Sequence, residues 1–290
     1  MVISNKIKQS VRSFLENREF IEYDTPILSA RTGETYNSTF EIEVSNCKAM
    51  LSDSPQIFKM LLVLTQNVNY FQFAHCFRPI EHEKDIYTRL CEFTQIDLEI
   101  KVDTLYELIG FAKKLLSNIF TTLKIDVEFI SIDGIECREK YGDEMKPRFN
   151  KKDKVTVLFI EKMPLTNGEK TEKNILIPCH HIFALPTDNV YNSTEVMLEN
   201  MQTESFDIVI NGIEVGGGDL RIMDVVLQTQ MMNIFSVDKS MYADYLQILS
   251  MKNHPQIGGF AIGLERLIMA VTNCQNIHET TYFPEIYKGV

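Results

Sequence analysis

Positive charge is scarce in this chain: its 290 residues carry 29 Lys and Arg against 40 Asp and Glu, a formal charge of -11. Nucleic-acid binders gain affinity by displacing counterions with Lys and Arg, so a broad phosphate-binding surface is excluded and any RNA contact is expected to be local. Long apolar runs are also missing, and no stretch approaches the length of a membrane span. Residues 1–9 are polar and include Lys6 and Lys8, which excludes the apolar core of a signal peptide there. The cysteines at 47, 76, 91, 137, 179 and 274 form no CxxC pair and fit reduced thiols better than a disulfide framework. Internal repeats and low-complexity tracts are absent as well. These absences predict a soluble cytoplasmic protein, and a hydrophobic content of 44% suffices for one α/β domain spanning 1–290.

What is present is a series of well-marked elements. Ile3, Ile7, Val11, Phe14 and Leu15 recur at helical spacing and predict an amphipathic helix over 4–17. The extended stretch 20–28 contains Pro26, which removes a ladder donor and predicts a sheet edge or interface strand. Ser54-Pro55 reads as a helix start, Ser as N-cap and Pro as first helical residue, continued by Ile57, Phe58, Leu61 and Leu62. Strands are expected at 70–78 and 93–100, joined by a charged loop over 79–90. Helices are expected at 105–123, 228–235, 241–251 and 264–273, the last entered from a strand at 258–263. FDIVI-NG-IEV over 206–215 is a strong hairpin signal, an Asn-Gly turn between apolar strands. The segment 166–173, TNGEKTEK, is expected to be the least ordered. Strands joined by hairpins predict a mostly antiparallel sheet flanked by helices.

Several residues point to chemistry. In FTQIDLEI, alternation places Phe93, Gln95, Asp97 and Glu99 on one strand face, either a solvated surface or a site where an aromatic ring stacks on a base beside polar groups. The Asn211-Gly212 turn sets Glu214 opposite Val209 and so on the face of Asp207; two neighbouring carboxylates call for a cation, with Mg²⁺ the candidate if a nucleotide binds. Gly216, Gly217 and Gly218 weaken their strand unless something approaches the backbone closely, and a substrate would supply that reason. Arg221 follows, a group able to clamp a carboxylate with two parallel bonds. Gln56 and Lys59, three apart on one helix, can reach the same ligand. Arg266 in the first turn of the last helix opposes the helix dipole, so it needs a partner, either a triphosphate or the adjacent Glu265. His180 and His181 are adjacent on an expected strand and so point to opposite faces, which disfavours a shared zinc and favours one histidine meeting a substrate carboxylate.

Taken together, these segments resemble the catalytic domain of class II aminoacyl-tRNA synthetases, in particular the bacterial aspartyl type. FLENREFIEYDTPIL resembles the family's first signature, FRPIEHEKDIYTRLCEFTQIDLEI the second and GGFAIGLERLIMAV the third. The resemblance implies the class II α/β (α+β) core, a homodimer built on the Pro26 segment, and ATP with Mg²⁺. It implies ATP binding by Arg78, Arg89, Phe93, Gln95, Asp207, Glu214 and Arg266. Among these, Arg78 and Arg266 are the catalytic cations and Asp207 and Glu214 the metal ligands. DSPQIFK resembles the element in which Gln56 and Lys59 face aspartate, and Glu34, Asp97, His180 and Arg221 fall on the remaining amino-acid positions. Two cations around one small carboxylate would be left unpaired by an uncharged analogue, an aspartate filter. The chain departs from the pattern at Ile80, where an acid is usual, and at Asp219, where a serine often closes the glycine run. Its 79–90 loop is longer than usual, an anticodon-binding barrel would precede residue 1, and the extra domain after EKYGDEMKPRF is reduced to a short stretch.

The implied reaction is attack of aspartate on the α-phosphorus of ATP, giving the aminoacyl-adenylate and pyrophosphate. The first expectation for the acceptor is ammonia or a small amine, as in archaeal asparagine synthetases that are truncated relatives of aspartyl synthetases. The alternatives are the acceptor end of tRNA and a regulatory paralogue without catalysis.

Overall fold

The computed structural model describes residues 1–30, 39–44, 46–80, 82, 85–149, 154–171, 174–191, 193–251 and 254–283. In chain order the first half comprises α1 (Val2–Glu16), β1 (Phe20–Glu22), β2 (Leu28–Ser29), β3 (Glu41–Val44), β4 (Cys47–Leu51), α2 (Gln56–Gln66), β5 (Asn69–Phe77), β6 (Glu92–Lys101) and α3 (Leu105–Leu123). The second half comprises β7 (Val127–Asp133), α4 (Gly134–Tyr141), β8 (Val155–Glu161), β9 (Thr166–Lys170), β10 (Leu176–Pro178), α5 (Glu195–Glu199), β11 (Ser205–Ile210), β12 (Ile213–Leu220), α6 (Val225–Ile234), α7 (Ala243–Ser250), β13 (Ile257–Gly263) and α8 (Leu264–Thr272).

Eight strands form one sheet in the order β1-β5-β6-β13-β12-β11-β8-β7, antiparallel except for the parallel pairs β1–β5 and β7–β8 at its two edges. Proline-bearing chain therefore follows an edge strand, where a missing backbone donor costs no ladder bond. Alternation divides the sheet cleanly. Phe71, Phe73, Ile96, Leu98, Phe206, Ile208, Phe260 and Ile262 join the main core with α1, α3 and α8. On the opposite face, a second core fills the space between α2, α6 and α7. Beside it, the polar residues of β6, β11 and β12 line a cavity.

Local chemistry explains the element boundaries. Thr104 Oγ1 caps α3 by accepting from Glu107 N–H at 3.2 Å while Glu107 Oε2 accepts from Asp103 N–H at 3.1 Å, and the helix closes on left-handed Lys124. At α2 the expected start moves by one residue: Pro55 is the cap position, and Ser54 Oγ accepts from Gln56 N–H at 3.3 Å. The Asn-Gly turn forms as read, Asn211 at φ 51° and Gly212 at φ 78°, the pair of positive angles that a type I′ hairpin requires. Val209 stands opposite Glu214, and a bulge at Val215 then sets Ile208 against Gly216. Two readings change. Residues 166–170 of the TNGEKTEK segment are a strand, β9, paired antiparallel with β10. The predicted 241–251 helix begins as a short 3₁₀ turn, Lys239–Tyr242, before α7.

The glycine run also has a different cause from the one the sequence suggested. A Cβ on Gly216 would lie 2.2 Å from Ala261 O and one on Gly218 would lie 2.4 Å from Gly259 O, so both are required by the close approach of β13. Only the middle glycine faces the polar side, where a Cβ on Gly217 would meet Asp207 Oδ1 at 2.7 Å.

Candidate active site

A cavity of about 520 Å³ lies over the polar face of the sheet, and it gathers Gln56 and Lys59 from α2, Gln95 and Asp97 from β6, Asp207 and Glu214 from β11 and β12, Arg221 from the position just after β12, and Arg266 from α8. Arg78, Arg89, Phe93 and His180 also line it. Twelve of the thirteen residues singled out from the sequence thus share one wall. The thirteenth, Glu34, lies outside the described residues.

One end is built for a polyanion. Arg78, Arg89 and Arg266 converge there, and the Arg78 guanidinium sits 5.5 Å from the Phe93 ring centroid. Burial, followed by the repulsion of Arg89 and Arg78, holds the Arg266 guanidinium below the usual arginine range against the attraction of Glu214. Like charges are brought together here at a cost that an anionic ligand would remove. Arg266 donates from Nη1 to the Glu214 carbonyl at 3.1 Å and from Nε to the Thr88 carbonyl at 3.4 Å. The neighbouring Glu265, considered as its partner from sequence, instead accepts from Thr94 N–H at 2.9 Å. The helix-terminal arginine is held in place by backbone oxygens, with the Glu214 carboxylate near enough to attract its charge.

Between the two ends lie the paired acids. Asp207 Oδ1 is 3.1 Å from His180 Nε2, and Glu214 Oε2 is 2.9 Å from Lys146 Nζ. Burial opposes the imidazolium, but Asp207 outweighs it and pushes His180 up to about 9. Burial likewise raises Glu214, but Lys146 and Arg266 outweigh it and bring the carboxyl to about 2. Two hard carboxylates facing one space, with phosphate oxygens and waters for the other positions, suit Mg²⁺, which uses one or two carboxylates plus substrate phosphates.

At the other end the structure corrects the sequence. Lys59 and Arg221 were expected to rely on a substrate carboxylate for their counter-charge, yet both are paired inside the protein. Lys59 Nζ lies 2.8 Å from Asp97 Oδ1 and 3.6 Å from Glu99 Oε2. Arg221 donates from Nε and Nη2 to the two Glu99 oxygens, each at 2.8 Å, and from Nη1 to Asp219 Oδ1. His181 Nε2 stands 3.1 Å from Arg221 Nη1 and 3.2 Å from Asp219 Oδ2. None of the five charged residues is more than 2% exposed. Burial raises the Asp219 carboxyl, but Arg221 and His181 outweigh it and hold the group well below the usual carboxylate range. Burial pushes the Asp97 carboxyl up despite Lys59.

Sequence reasoning missed three contributors. Glu99 had been placed on the correct face by alternation but not assigned to the site. His181 was expected to point away from His180; the two stand on a bend rather than a strand, and both reach the cavity. Lys146 carried no local signal at all, because its partner is far along the chain.

The family model of class II tRNA synthetases (D, K and N) matches residues 1–287. The aspartate–tRNA(Asp/Asn) ligase of Protochlamydia amoebophila is 24% identical over an alignment that takes in 100% of this chain and 70% of that protein. Among solved structures, the asparaginyl-tRNA synthetase of Pyrococcus horikoshii bound to asparaginyl-adenylate superposes with a TM-score of 0.75 at 16% identity, over 98% of this chain and 67% of the other. The aspartyl-tRNA synthetase of Entamoeba histolytica gives 0.72 at 21% identity, over 97% of this chain and 57% of that one. The chain therefore spans less than two thirds of the Entamoeba protein.

Proposed function

Because this chain belongs to the class II tRNA synthetases (D, K and N), ligases that use ATP with Mg²⁺, we propose that it activates an amino acid of aspartate or asparagine size as the aminoacyl-adenylate. The observation that carries the reading is the single cavity in which three arginines and Phe93 occupy one end and the buried Lys59–Arg221 network occupies the other. An α-carboxylate oxygen attacks the α-phosphorus of ATP, forming the mixed anhydride as the bond to pyrophosphate breaks; no protein nucleophile is needed. Arg78 balances charge on the α-phosphate, Arg89 and Arg266 hold the β- and γ-phosphates, and Phe93 stacks on adenine with Gln95 beside it. Asp207 and Glu214 would hold Mg²⁺, which when bound neutralises phosphate charge. Gln56 and Asp97 face the amino acid, and His180 orients Asp207.

Two acceptors follow from different observations. Relatives that are aspartate–tRNA ligases support the acceptor end of tRNA. The formal charge of -11 supports ammonia or a small amine, since it offers little attraction to a polyanion. Mass spectrometry of products formed with each acceptor distinguishes them. A homodimer is supported by the apolar side chains of Ile21, Tyr23, Ile27 and Leu28, which are exposed beside the sheet edge.

The test of the central reading is ATP–pyrophosphate exchange. Arg78→Ala is expected to cut exchange by about 100- to 1000-fold, the usual loss for one preorganised charge donor. An unchanged rate would place the phosphates elsewhere.

A further inference from the structure

We propose that Asp219 sets the specificity of this cavity: it is a resident carboxylate paired with Arg221, so the amino-acid end takes an uncharged carboxamide side chain in preference to a carboxylate. The inference rests on the reading of the cavity as an amino-acid-activating site, and it concerns which amino acid enters. The two permanent cations at this end, Lys59 and Arg221, face three carboxylates, Asp97, Glu99 and Asp219, all within direct ion-pair reach, and the His181 ring stands on the far oxygen of Asp219 at 3.2 Å. A substrate carboxylate would bring a fourth negative charge into a space where no described cation lacks a partner. The Arg221 fork is already engaged on three nitrogens, two by Glu99 and one by Asp219. Three of its five N–H groups are thus taken, and the Nε–Nη2 edge, the one aligned for a parallel two-bond clamp, is held by Glu99.

A carboxamide meets the same wall differently. Its N–H groups can donate to the surplus of carboxylate oxygens, and its carbonyl needs a donor. Gln56 Nε2 is such a donor, buried on the cavity wall with no hydrogen-bond partner among the described residues. A carboxylate offers acceptors only and so leaves the acceptor surplus unanswered. A cationic side chain would approach Lys59 and Arg221 directly. Sites that read hydrogen-bonding character in this way discriminate strongly, because the wrong ligand leaves buried polar groups unpaired.

The experiment is calorimetric titration of the intact chain with asparagine and with aspartate, run beside ATP–pyrophosphate exchange with each. Asparagine is expected to bind at least about 100-fold more tightly than aspartate. Asp219→Ser, which removes the carboxylate from Arg221 Nη1, is expected to move that ratio toward aspartate by about tenfold or more. If the serine variant fails to fold, judged by its melting curve, Asp219→Asn removes the charge with nearly the same shape and takes its place. Tighter binding of aspartate, binding of neither amino acid, or a ratio untouched by the substitution overturns the proposal. Binding of asparagine without exchange would uphold the charge assignment and overturn adenylation. Exchange with aspartate in preference to asparagine would do the reverse.

Discussion

The Glu99–Arg221 pair and the Arg12–Glu22 pair offer a controlled comparison, because both are two-bond contacts at 2.7 to 2.8 Å and differ in burial. Glu99 and Arg221 are 0% and 1% exposed at the side chain, whereas Arg12 and Glu22 are 41% and 33% exposed. Unit charges about 4 Å apart interact by about 1 kcal/mol in water and about 4 kcal/mol at an effective dielectric near 20. Removing one partner of a buried pair costs about 3–5 kcal/mol, since the survivor is left buried and uncompensated. Here Arg221 keeps Asp219 and Lys59 keeps Asp97, so Glu99→Leu belongs near the low end, about 3 kcal/mol. Glu22→Ala should cost less than about 1 kcal/mol. Urea unfolding followed by circular dichroism measures both single variants. Equal losses for the two single variants would refute the claim that burial decides the worth of these pairs.

Two further outcomes follow from the same structure. Gly216→Ala must push β12 from β13, its Cβ lying 2.2 Å from a backbone oxygen, and should lower stability by more than about 2 kcal/mol; Gly110→Ala, in mid-helix with nothing within 4 Å, should raise it by about 0.5–1 kcal/mol, both read from thermal melts. The Asp219 carboxyl lies below its ordinary range in the fold, so its contribution is present above the unfolded value near about 3.9 and is lost as pH falls through the folded one. The stability gap between the parent chain and Asp219→Asn should therefore shrink as acid is added below about pH 4, and a gap that widens there would contradict the pairing with Arg221 and His181.

Much of the fold was legible because its signals are local. Helical spacing located α1 and α3, the Asn-Gly pair fixed the β11–β12 hairpin and its register, and period-two alternation put Phe93, Gln95 and Asp97 on the cavity side. Glycines 216 and 218 were read for the wrong reason, because a demand made by the neighbouring strand β13, some forty residues later, leaves no trace beside them. TNGEKTEK reads as the least ordered stretch from its composition, and over residues 166–170 pairing with β10 overrides that preference.

Side-chain chemistry, spacing and alternation along the chain determined which residues could serve a nucleotide and an amino acid, since each of those cues acts within one or two turns or strands. Which charges remain free to act was decided only by the tertiary structure. Asp97 and Glu99 on β6 and Asp219 on β12 reach Lys59 and Arg221 across the tertiary fold, and in a buried space a few ångströms of separation determine whether a cation awaits a ligand or already has its partner.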